Sequence, residues 1–206
     1  MKTNLFSAGV RSSILAALVM AGAACNQGNP SGKTAVHYIL DGSGSVAMTT
    51  DQEIAAMMIE MESAPVDAEI TVSVMASKTI EIFSGSLANI EPYEIARIAR
   101  SALASPDPVK GTDLSAMAVA IYGWTTRTDA KVLKIRVMTD GGDDFAKDPK
   151  RAKTYSYVAS KIVKDKRVAS MVFHGVKVGY REPIRSHFGG LGSKLKILSA
   201  GESSFE

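Results

Sequence analysis

From Thr34 onward the chain alternates short apolar runs with longer stretches of helical periodicity. Residues 35–40 form an apolar run that stops at Asp41, as expected of a strand buried on both faces. Gly42 and Gly44 break it, and Thr50 or Asp51 is placed to cap a helix with Glu53 in its first turn. Ile54, Met57, Met58 and Met61 recur at helical spacing up to Ser63, and Pro65 closes that helix. Residues 69–75 alternate and are β-branched, so they read as a strand. A second strand over 79–83 follows after a turn at Ser77 and Lys78, which permits only an antiparallel hairpin. Helices are expected over 91–103 and from Leu114 to about Trp124, separated by a loop that Pro106 and Pro108 enforce. Then come a strand over 132–138 leading to Thr139 and Asp140, a helix over about 150–164 and a strand over 168–173. A short helix from Pro183 to near Gly189 and Gly190, a strand over 195–198 and a polar tail at 200–206 complete the pattern.

Strands that alternate with helices make a mostly parallel sheet covered on both faces. Right-handed crossovers then give a three-layer, doubly wound α/β domain of about six strands over 34–199, with one antiparallel edge strand from the hairpin. In such sheets ligands bind beyond the carboxyl ends of the strands, where the strand order reverses.

The first 24 residues do not fit this pattern. Lys2 and Arg11 are their only charges, and the apolar stretch over 14–24 is about 11 residues long, short of the ~20 that cross a bilayer. Charged start, short apolar core and small residues at the end predict a secretory signal peptide. Those small residues lead into Cys25, an arrangement that resembles the lipobox of bacterial lipoproteins, although Gly22 stands where that pattern prefers Leu. The resemblance implies a diacylated Cys25 and a lipid-anchored, exported protein of the bacterial envelope, periplasmic or at the cell surface. Ordinary cleavage near Ala23 or Ala24, leaving a free thiol, is the alternative. Residues 25–33 are then the anchor and a polar tether.

Composition narrows the chemistry. Hydrophobic residues make up 46% and charged residues 22%, ordinary values for a globular protein. The net charge of +3 comes without a lysine block, so no nucleic-acid partner is expected. A sole cysteine excludes an intramolecular disulfide and thiolate-rich zinc sites, and His37, His174 and His187 have no metal-ligand spacing.

The residues left for chemistry are oxygen donors. Two expected strands lead into aspartates, Asp41 and Asp140, which should emerge on the same sheet edge. Ser43 and Ser45 follow Asp41 in a glycine-spaced loop, and Thr112 lies in Gly111-Thr112-Asp113 just before a helix. Such hard donors suit Mg²⁺ or Mn²⁺, and also Ca²⁺. With few charges on the donors, the bound ion keeps residual positive charge and waters that an incoming carboxylate can replace. Asp143 and Asp144 read as solvated loop acids, with tuning of the site's charge as the alternative, and His174 as a structural residue, with the site rim as the alternative; Asp113 reads as a helix cap, Trp124 as a packing residue, and Met57, Met58, Met61 and Met75 as core.

The order and spacing of Asp41-x-Ser43-x-Ser45, Thr112 and Asp140 resemble the metal-ion-dependent adhesion site of von Willebrand factor type A domains. The similarity covers about 33–199, including the hairpin where that family has its edge strand. It implies that the serines and the threonine ligate the ion directly or through water, with the two aspartates against it or behind its waters. It also implies a non-enzymatic binding module that holds an Asp or Glu carboxylate of a protein partner, in adhesion or envelope assembly. Two other functions fit a metal-binding loop: a metal-dependent phosphohydrolase with Asp41 as nucleophile, and a scaffold whose metal is purely structural. Phosphotransferases of the former kind usually carry a second aspartate two residues after the first, where this chain has Ser43.

Overall fold

The computed structural model describes residues 32–43, 50–104, 111–200 and 202. The expected elements are present. Strands β1 (Thr34–Asp41), β2 (Glu69–Met75), β3 (Thr79–Ser86), β4 (Val132–Met138), β5 (Val168–His174) and β6 (Leu195–Ile197) form one sheet in the order β3-β2-β1-β4-β5-β6. The β2–β3 pair is antiparallel and every other pair parallel. The helices are α1 (Thr50–Glu62), α2 (Pro92–Leu103), α3 (Leu114–Arg127), α4 (Pro149–Lys164) and α5 (Arg181–Phe188).

Three boundaries differ from expectation by two residues or more. Strand β3 runs on to Ser86 because its second half pairs with β2 past an irregularity between Val72 and Ser73. Helix α3 continues beyond Trp124 to Arg127, so Trp124 is buried in its last turn. Helix α5 begins at Arg181, two residues ahead of Pro183, after a 3-10 turn over Val178–Tyr180.

All of β1 is buried, and alternation along it feeds two cores. Val36, Tyr38 and Leu40 pack with Ile54, Met57 and Met61 of α1 and with Ile95, Ala96 and Ala99 of α2. Ala35 and Ile39 face α3 and α4, through Met117, Ala118, Ile121, Val158 and Ile162. The sheet is thus the middle of three layers. Met57, Met61 and Met75 are core residues, and the half-buried Met58 packs against the same cluster. Among the described residues no helix is long and apolar enough to cross a membrane.

The chain leaves β1 toward β2 and leaves β4 toward β5, in opposite directions along the sheet. The strand order therefore reverses between β1 and β4, and their carboxyl ends flank the place where such sheets hold ligands.

Candidate metal centre

Asp41 is the last residue of β1 and only 2% exposed. Its carboxylate gathers donors from three loops. Ser43 N–H donates to Oδ1 at 3.0 Å, and the Thr139 hydroxyl donates to Oδ2 at 2.7 Å. The Thr112 hydroxyl stands 3.4 Å from both carboxylate oxygens. Burial raises the Asp41 pKa, the Thr139 and Ser43 hydrogen bonds oppose that, and the nearby charge of Asp140 adds to it.

The three loops are stitched together by backbone contacts. Gly42 N–H donates to Met75 O at 2.7 Å, tying the β1 loop to the end of β2. Asp113 N–H donates to Ala76 O at 3.0 Å, which brings Thr112 to the same edge. Asp144 completes the set: its carboxylate accepts Thr112 N–H at 2.7 Å while its own N–H donates to Thr112 O at 3.0 Å. Gly111, with φ of +128°, lets the backbone turn into this clamp, and a side chain there would crowd Asp144. Asp144 is exposed, as expected of a solvated loop acid, but its carboxylate also fixes the backbone of Thr112. Asp143 is half-buried and accepts the Phe145 N–H at 3.0 Å.

Asp140 follows β4 and is 3% exposed. One oxygen accepts Gly142 N–H at 2.8 Å, and the other meets the Lys177 ammonium at 2.8 Å. Lys177 N–H also donates to Asp140 O at 2.9 Å, so the loop after β5 is pinned against the loop after β4. Gly141 has a φ of +85°, and a Cβ there would lie 2.9 Å from the Tyr180 Cβ, so only glycine fits this turn.

Asp113 caps α3, accepting Ala116 N–H at 3.0 Å, and its other oxygen binds Arg151 at 2.6 Å. His174 is buried against Glu60, 3.2 Å away, in a structural contact.

Asp41, Ser43, Thr112 and Asp140 thus meet at the switch point, as their spacing implies. Ser45 and Cys25 lie outside the described residues. The donor set fits a hard cation on one further observation. The 3.4 Å separation of Thr112 Oγ1 from both Asp41 oxygens is long for an O–H···O bond. Oxygens that share an ion at right angles lie roughly 3.0–3.5 Å apart when metal–oxygen distances are about 2.1–2.5 Å. Among the described residues no three His, Cys, Asp or Glu side chains are grouped to hold an ion by themselves.

Sequence reasoning missed Thr139, Lys177 and the inward-facing Glu53. Glu53 is 1% exposed in the first turn of α1, and among the described residues neither of its carboxylate oxygens has a hydrogen-bond partner. Burial, with the charge of Asp41 adding to it, pushes its pKa up to about 9.

The fold defines the class: this is the von Willebrand factor type A fold. The domain of that name from Catenulispora acidiphila superposes with a TM-score of 0.59 at 14% identity, over 83% of this chain and 39% of that one. The PilB minor pilin of Streptococcus sanguinis gives a TM-score of 0.62 at 15% identity, over 83% of this chain and 58% of the pilin. Manganese-loaded TRAP protein of Plasmodium vivax gives 0.57 at 19% identity, over 81% and 68%. The chain thus spans less than two thirds of the pilin's length. No family model and no curated protein matches the sequence.

Proposed function

We propose that this protein is an exported binding module, anchored to a membrane through a lipidated Cys25, that holds a divalent cation and through it an acidic group of a protein partner. Asp41, Ser43, Ser45, Thr112 and Asp140 are the proposed ion-binding residues, and Mg²⁺ the proposed ion. The observation that carries the reading is the convergence on the Asp41 carboxylate of the Ser43 N–H and the Thr112 and Thr139 hydroxyls, from three separate loops. Only Asp41 and Asp140 bring formal negative charge among the proposed residues, and Lys177 already offsets part of it. An ion held this way retains positive charge, which a carboxylate from outside can satisfy. The manganese in the structure of the TRAP protein supports a divalent ion on this fold.

The test is capture of partners from an envelope extract in Mg²⁺ and in EDTA, with wild type and Asp41→Asn. Partners held in Mg²⁺ and released both by EDTA and by the substitution support the reading. Capture indifferent to EDTA sinks it. Palmitate labelling that disappears in Cys25→Ser tests the anchor separately.

A further inference from the structure

We propose that Glu53 is a positioning residue of the cation centre, a third carboxylate that accepts hydrogen bonds from the waters of an ion bound beside Asp41. The inference rests on the cation-binding reading above and deepens it.

Buried polar side chains nearly always have a partner, and an exception calls for a water or an ion to complete it. Glu53 is such an exception: 1% exposed, with both oxygens unpartnered among the described residues. It belongs to α1, which begins at Thr50, and its position in the first turn puts it at the helix end reached from the loop after Asp41. The charge of Asp41 adds to the cost of its burial. A second buried carboxylate beside Asp41 is unfavourable without a positive charge between or near them. Lys177 does not fill that role, because its ammonium is engaged with Asp140. A structural acid would carry its own partners, as Glu60 on the same helix does with Arg136 and His174. A hydrated divalent ion supplies what Glu53 lacks: positive charge, and water hydrogens for a carboxylate that does not itself touch the ion. Its negative charge also favours a cation nearby by Coulomb attraction, without Glu53 being a ligand.

Residues that act through a ligand or a bound water typically change metal affinity by about 10- to 100-fold. Mn²⁺ binding to the full chain is measured by titration calorimetry for wild type, Glu53→Gln, Glu53→Met and, as a control, the exposed Glu62→Gln. Melting is followed in EDTA and in excess Mn²⁺, and affinities are read on the variants that melt cooperatively in EDTA. The expected result is affinity weakened about tenfold or more in both Glu53 variants and a smaller Mn²⁺-induced rise in Tm, with Glu62→Gln like wild type. Melting in EDTA should hold or rise in Glu53→Gln, since a buried unpaired acid is gone; a merely structural Glu53 would shift Tm equally with and without Mn²⁺. Wild-type affinity in either cooperative variant overturns this proposal and leaves the cation site standing. No Mn²⁺ binding by wild type overturns both.

Discussion

Glu53 and Glu60 stand two turns apart on the buried side of α1, and their surroundings could hardly differ more. Glu60 is ion-paired to Arg136 and lies 3.2 Å from His174. Burial alone would raise its pKa, but the His174 and Arg136 contacts outweigh that and hold it below the usual range. Among the described residues Glu53 has no such partners, and its pKa rises to about 9. The same side chain on the same helix is in one place part of the framework and in the other an unmet demand for positive charge. Burial of an acid therefore says little by itself; what faces it says whether it supports the fold or awaits a ligand.

Breaking the satisfied member should have the largest effect on stability. Arg136→Met takes the arginine partner from Glu60, whose side chain is 9% exposed, leaving it His174, and removes a hydrogen bond to Ser170 Oγ. A loss of about 3–5 kcal/mol in urea unfolding is expected. A loss under about 1 kcal/mol would show that the pair is not what distinguishes Glu60 from Glu53.

On the ligand side, Asp41→Asn keeps the shape and removes the central charge. Cation affinity should fall by more than the roughly 100-fold that indirect partners can contribute, measured by calorimetry with Mg²⁺ and Mn²⁺. A fall smaller than that of Glu53→Gln would reverse the roles assigned to the two carboxylates.

His37 applies the same rule to a base. It is 1% exposed, with Nε2 2.9 Å from Ser73 Oγ and Trp124 against its ring. Burial, helped by the charge of Arg127, pushes its pKa down from 6.5 to about 3. The unfolded chain takes up that proton near pH 6.5 and the folded chain does not until about pH 3, so stability is lost as pH falls through this window. Between pH 7 and pH 5 wild type should lose about 2 kcal/mol more than His37→Gln in paired urea melts. Equal losses would mean that His37 is protonated in the fold.

The smallest effect is expected at Lys177, whose side chain is 52% exposed. Lys177→Met frees an Asp140 oxygen and should strengthen Mn²⁺ binding roughly two- to fivefold at low salt, fading as salt rises. Weaker binding would show that the lysine orders the loop after β4 more than it competes with the ion.

Much of the fold was legible because its strands are short apolar runs and its helices carry period-3.6 apolar faces. The run before Asp41 is buried on both sides because β1 lies between two layers of helices, and the turn at Ser77 and Lys78 was too short for anything but a hairpin. The ends of β3 and α3 were misjudged because pairing with β2 and burial against the core extend them past the points where local periodicity fades. That Asp41, Ser43, Thr112 and Asp140 come to one edge was legible because strand ends and helix starts place them there. Thr139 and Asp144 were hidden: a threonine before an aspartate and a loop acid have no local mark that shows which oxygen or N–H they will meet.

The sequence by itself determined the alternation of elements, and with it the reversal of strand order and the edge where donors collect. Those follow from side-chain periodicity and chain connectivity, which are local properties. Only the tertiary structure decided which charges meet. It set Lys177 against Asp140, Asp144 under Thr112 and Arg136 against Glu60, and left Glu53 unpartnered among the described residues, close enough to Asp41 to feel its charge. Charge–charge energies depend on distance and burial between residues far apart in the chain, so no reading of periodicity could have assigned them.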